Sequence, residues 1–168
     1  LFYTKGTDRL GKSADGTTIS DYDPEEIKRK YSISTSIIPI EYGRSKINIL
    51  DNPGYFDFAG EVMQSVRVVD SGVIVVSAKN GIGVGTEKSW KYLYERKLPK
   101  FVYISKLDEE HADFFKTFEQ LREKFGKTLA PIVIPIVEDN KTIGIVDIIH
   151  KNAFLSGKGK TQNIGVPD

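Results

Sequence analysis

Ile47-Asn48-Ile49-Leu50-Asp51-Asn52-Pro53-Gly54 and Phe101-Val102-Tyr103-Ile104-Ser105-Lys106-Leu107-Asp108 share one plan, a strand-like run that stops at a polar motif carrying a carboxylate. Ligands of open α/β sheets sit beyond the carboxyl ends of the strands, so two strands deliver Asp51, Gly54 and Asp108 to one sheet edge. A stretch with helical spacing follows each motif. Phe58, Val62, Val66 and Val69 mark the first, and Phe114, Phe115, Phe118, Leu121 and Phe125 the second.

The residue types at these strand ends suit a guanine nucleotide. One carboxylate, Asp108, can accept both the ring N–H and the amino N–H of guanine, a paired contact that adenine cannot make. The bland alternative is a helix N-cap. Lys106 can lay its aliphatic stem along the base, or be a solvated surface lysine. Asp51 can hold a water on Mg²⁺, an ion that keeps several waters and takes few protein ligands. Gly54 lets a backbone N–H approach a γ-phosphate that a side chain would obstruct; the alternative is a proline-glycine turn leaving a strand. Ser32 adds a hydroxyl for Mg²⁺ in a segment that a γ-phosphate could order. His111 and His150 have no metal-ligand spacing and read as structural.

Working outward, Asp21 to Tyr31 is polar and charged, a mobile stretch unless something orders it. Ser34 to Tyr42 and Lys46 to Leu50 form a hairpin around Gly43-Arg44. Gly72 to Ala78 is a continuous apolar run, the pattern of a strand buried on both faces. A helix from about Thr86 to Arg96 places Trp90, Leu93 and Tyr94 at core spacing. The β-α-β-α-β alternation implies a parallel sheet. After Lys127 the character changes: Ala130 to Val137 and Ile143 to His150 are strands about a turn, and Ser156 to Asn163 has loop composition.

Gly6-Thr7-Asp8-Arg9-Leu10-Gly11-Lys12-Ser13 matches the phosphate-loop pattern letter for letter. We read it as a chance match. Only five residues precede it, too few for a buried central strand. Ala14-Asp15-Gly16-Thr17-Thr18 after it is turn chemistry rather than a helix that could aim its N-terminus at a phosphate.

The 168 residues suffice for one core, and a formal charge of +1 supplies no broad field for nucleic-acid binding. The absence of cysteine removes disulfides, thiolate zinc sites and thiol catalysis. No apolar run is long enough to cross a bilayer, so the expectation is a soluble, cytoplasmic protein without a membrane partner.

Taken together, these residues resemble the GTPase domain of bacterial elongation factor G and its paralogues, a class that also holds ribosome-protecting tetracycline-resistance proteins. Residues 21–35 resemble the first switch, 51–58 the second, and 105–108 the base-recognition motif. The stretch from Pro131 to Phe154 looks like the start of the subdomain that elongation factor G inserts into its core. The resemblance implies a three-layer P-loop NTPase-type α/β G domain with a largely parallel sheet. By it, residues 1–128 are a partial G domain whose first strand and phosphate loop are absent, and 129–168 begin the β-rich insertion. The implied ligands are GTP or GDP with Mg²⁺. Ser32 and Asp51 serve the metal, Gly54, Ser105, Lys106 and Asp108 the nucleotide, and Gly54 and Tyr55 the chemistry.

Three departures mark a divergent paralogue. Ser32 replaces the family's threonine and keeps the hydroxyl. Tyr55 replaces the histidine that positions the attacking water; a phenol with pKa near ~10 is no cation at neutral pH, yet it can orient water. Ser105 replaces asparagine and drops an amide contact worth about 1 kcal/mol. The leading expectation is an internal fragment whose parent hydrolyses GTP on the ribosome. One alternative is a nucleotide-dependent binding module, or a ribosome-protection paralogue, with little turnover. Another is a small complete NTPase built on Gly6 to Ser13.

Overall fold

The expected hairpin forms from β1 (Ser36–Tyr42) and β2 (Ser45–Asp51), antiparallel with Ile38 opposite Ile49 and Ile40 opposite Ile47. Its two-residue loop opens at Gly43 with φ 61°, a conformation that glycine adopts without steric cost. The computed structural model describes residues 4, 7, 11–12, 15–139, 141–157 and 160–163, so most of the Gly6 to Ser13 motif lies outside the described residues. The chain forms two compact units, one of Leu1–Gly72 with Glu87–Lys100, the other of Val73–Thr86 with Phe101–Asp168.

In the first unit the charged stretch at 21–31 carries a short capped helix, so it holds the groups that can order it. Helix α1 (Pro24–Arg29) starts at Asp23, whose carboxylate accepts from Glu25 N, with Pro24 in the first turn. Glu26 closes a capping box by accepting from Asp23 N. After β2, a 3₁₀ turn (Phe56–Phe58) leads into α2 (Ala59–Ser65), shorter than the spacing to Val69 suggests. Helix α3 (Val84–Glu95) buries Leu93 against Gly72, whereas Tyr94 is 68% exposed and not core.

Strands β3 (Gly72–Ser77) and β4 (Lys100–Ser105), which apart from Gly72 and Lys100 belong to the second unit, are neighbours. Hydrogen bonds from Gly72 N to Pro99 O and Ala78 N to Ser105 O link start to start and end to end, so the pair is parallel. Ile74 and Val76 are buried, but Val73 and Val75 are 64% and 63% exposed, so β3 is covered on one face, not two. Alternation decides this: successive side chains leave opposite faces, and only the even-numbered face meets packing atoms. Helix α4 (Phe114–Phe125) is capped by Asp113, buries Leu121 and Thr117, and stacks Phe114 on Phe118.

A four-stranded antiparallel sheet follows: β5 (Val133–Glu138), β6 (Lys141–Asp147), β7 (Asn152–Gly157) and β8 (Lys160–Asn163), in that order. The last two strands replace the loop expected at 156–163. Pairing of Leu155 with Gln162 and Ser156 with Thr161 satisfies their backbones despite a composition poor in strand formers. His150 lies in the β6–β7 turn, not in a strand, with Nδ1 2.7 Å from Asp147 Oδ2. The expected parallel alternation is thus represented by β3–β4, while the other described pairings are antiparallel.

Candidate nucleotide site

In the first unit, the segment 21–35 is tied down at both ends. Glu26, only 2% exposed, accepts from Ile33 N at 2.8 Å and Ser34 N at 3.0 Å through Oε1. Lys30, at φ 60°, turns the chain off α1 so that Tyr31 and Ser32 can return beneath it. Ser32 Oγ donates to Asp21 Oδ1 at 2.6 Å, and Thr18 donates to the other oxygen of this buried carboxylate. The hydroxyl assigned to Mg²⁺ therefore has an internal partner.

Asp51 is the last residue of β2 and half-buried, opposite Ser36. Asn52, unassigned in the sequence reading, is the hub beside it. Its Oδ1 accepts from Thr35 Oγ1 at 3.0 Å and from Ser65 Oγ at 2.6 Å. Thr35 N donates to Glu61 Oε2 at 2.8 Å. That backbone N–H, and secondarily the Thr35 hydroxyl, holds the Glu61 carboxyl below the usual glutamate range. Tyr55 lies on Tyr31, ring centroids 4.7 Å apart. The segments 21–35 and 51–65 thus form one network, with Ser32, Asp51, Gly54 and Tyr55 on a shared scaffold. The sequence does signal Glu26, through the Asp-Pro-Glu-Glu capping pattern. Asn52, Glu61 and Ser65 carry no local signal, because their partners come from 13 to 26 residues away.

Gly54 is exposed, and a Cβ added there would meet nothing within 4 Å among the described residues. Its φ lies outside the left-handed region. Among the described residues, neither packing nor backbone conformation requires glycine at this position.

The base motif lies in the second unit. Ser105 ends β4 and spends its hydroxyl on Val76 O at 3.3 Å. Lys106 takes φ 61°, and its ammonium is 3.0 Å from Glu109 Oε1. Lys79 approaches the other Glu109 oxygen at 3.7 Å. The hydrogen bond from Lys106 is the largest influence holding Glu109 below its ordinary range. Asp108 is exposed, and the cap of α4 is Asp113, whose Oδ1 accepts from Lys116 N. Asp108 is therefore not the N-cap that the bland alternative supposes.

Of the phosphate-loop match, Thr7, Gly11 and Lys12 are described. Lys12 O accepts from Asp15 N and Thr17 N, and Lys12 N donates to Thr17 Oγ1 at 3.0 Å. The chain folds back into a turn there.

The family description "Elongation factor Tu GTP binding domain" matches residues 1–163. The chain belongs to this GTP-binding family. Elongation factor G 2 of Borreliella afzelii (strain PKo) is 37% identical over 149 residues, which are 89% of this chain and 22% of that protein. Elongation factor G of Granulibacter bethesdensis is 32% identical over 92% of the chain and 22% of its own length. Ribosome-releasing factor 2, mitochondrial, of Candida albicans is 35% identical over 90% of the chain and 19% of its own length. A crystal structure of a protein from Thermus thermophilus superposes with a TM-score of 0.91 at 33% identity, covering 99% of this chain and 25% of that one. This is a GTP-binding domain of an elongation factor G-like protein, with the α/β fold of that family. The chain spans about a fifth of the length of these curated relatives.

Among the described residues no group of three His, Asp or Glu side chains could hold a metal ion, and no helix is long and apolar enough to cross a membrane.

Proposed function

We propose that the protein binds Mg²⁺-GTP, engages the ribosome, and hydrolyses the nucleotide to GDP and phosphate. The observation that carries this reading is the joining of 21–35 to 51–65 through Thr35, Asn52, Glu61 and Ser65, with Tyr55 against Tyr31 and with Asp51 and Gly54 in the same segment of chain. Two loops that share hydrogen bonds can respond together to one γ-phosphate.

Each role follows from the chemistry of the residue. Ser32 and Asp51 offer hard oxygen donors on one unit, where Ser32 would ligate a Mg²⁺ ion and Asp51 would hold a water on it, which fits an ion that takes few protein ligands. Ser32 Oγ would exchange its Asp21 partner for the ion. When bound, Mg²⁺ supplies charge neutralisation at the phosphates. The open space at Gly54 supports a backbone N–H placed against the γ-phosphate, since nothing among the described residues explains the missing side chain. The Tyr55 hydroxyl orients a water whose oxygen bonds to the γ-phosphorus as the bond to the β–γ bridging oxygen breaks. The water's proton ends on the released phosphate. Asp108 accepts two guanine N–H groups, and Lys106 lies along the base.

The finer organisation belongs to the same reading: a G domain over 1–128, an inserted subdomain from 129, and a cytoplasmic setting. The ribosome enters as a partner through the elongation and ribosome-releasing names of the relatives. Ribosome-stimulated single-turnover hydrolysis by the full-length protein tests the proposal. Turnover that falls in Tyr55→Ala supports it. Tight GTP binding without turnover would favour the second reading, a binding module, which rests on the phenol at position 55. Loss of all nucleotide binding in Lys12→Ala would instead favour Gly6 to Ser13 as a phosphate loop.

A further inference from the structure

Tyr55 and Phe56 are adjacent, exposed aromatic residues, 57% and 54% accessible, so burial does not fix either ring. Tyr55 is extended, at φ −76° and ψ 139°, and the two rings find different partners. Tyr55 lies on Tyr31, whereas the Phe56 ring carries the Lys88 ammonium 3.6 Å above its centroid. Lys88 is half-buried in the first half of α3, thirty-two positions along the chain, so the contact is tertiary rather than a neighbour effect. Helix α3 is itself anchored within this unit, by Leu93 against Gly72 and by Arg96 Nη2 donating to Arg67 O at 3.5 Å. No ion pair among the described residues competes for Lys88.

We infer that Lys88 is a positioning residue for Tyr55: its ammonium on the Phe56 ring fastens the Gly54-Tyr55-Phe56 loop to helix α3. The loop needs such a fastening, because Gly54 has freedom about its backbone and a Cβ built there would meet nothing within 4 Å among the described residues. A cation over a phenyl face at an exposed site shifts a conformational balance by about two- to fivefold. The consequence for hydrolysis rests on the proposed role of Tyr55, but the positioning itself does not.

The test uses the full-length protein with fluorotyrosine at position 55, read by ¹⁹F NMR. The parent protein should show one resonance. Lys88→Met and Phe56→Leu should each shift or broaden it, the double variant should add nothing further, and Lys88→Arg should restore it because guanidinium also binds an aromatic face. A Lys88→Met spectrum identical to the parent's would overturn the inference. In single-turnover assays, Lys88→Met should slow GTP hydrolysis two- to fivefold with the Kd for GTP unchanged, again rescued by arginine. Equal rates in an active protein would overturn the catalytic consequence. If the parent hydrolyses no GTP while the ¹⁹F pattern holds, the role of Tyr55 fails and the positioning stands.

Discussion

Glu26 shows how one side chain can organise a loop. It closes the cap of α1 with one oxygen and holds Ile33 and Ser34 with the other, almost out of reach of solvent. Replacing it with leucine leaves part-buried N–H groups without their partner, at about 1 kcal/mol or somewhat more. The urea midpoint of Glu26→Leu should fall accordingly, with Glu26→Gln intermediate because one amide oxygen remains. Glu61 makes the neighbouring tether pH-dependent. Its folded pKa is depressed by Thr35, so the link is present above the ordinary value near ~4.3 and is lost as pH falls through the lowered one. The Thr35 amide resonance should titrate in that acid window, and should stay put in Glu61→Gln. The base motif carries a second such group: Glu109, held low mainly by Lys106, should release that lysine only under acid conditions.

At the scale of elements, the hairpin, α4 and the parallel β3–β4 pair follow from local pattern. Ile38, Ile40, Ile47 and Ile49 alternate around a glycine turn, and Phe114, Phe118 and Leu121 recur at helical spacing. Helix α1 escapes periodicity because six residues are too few to show it; its capping box is the readable sign. Strands β7 and β8 escape it for another reason, since their order comes from pairing with β6 and each other rather than from propensity. At the candidate site, Asp51, Gly54 and Asp108 are singled out by residue type and strand-end position, and their nucleotide roles belong to the proposal. The site is not legible at Asn52 and Ser65, whose roles exist only once α2 returns to β2. Leu121→Ala, deleting the most deeply buried leucine of α4, should cost about 2–5 kcal/mol in equilibrium unfolding. Phe115→Ala, on the exposed side of the same helix, should stay within about 0.5 kcal/mol of the parent protein.

At the scale of the molecule, family membership gives the fold and the class of ligand, and the chain's own residues give the distinguishing chemistry. Tyr55 lies against Tyr31, Ser105 donates its hydroxyl to Val76 O on β3, and Ser32 donates to Asp21. The account therefore places guanine selection on Asp108 alone, through a carboxylate that accepts two N–H groups. Xanthine carries an oxygen where guanine has its amino group, so an amide at position 108 should prefer it. The most direct measurement is calorimetric titration of full-length parent and Asp108→Asn proteins with GTP, XTP and ATP in Mg²⁺. We expect the parent to bind GTP and not XTP, and the variant to reverse that order by at least about tenfold, or about 1.4 kcal/mol, with ATP weak throughout. Unchanged GTP preference in the variant would contradict the account.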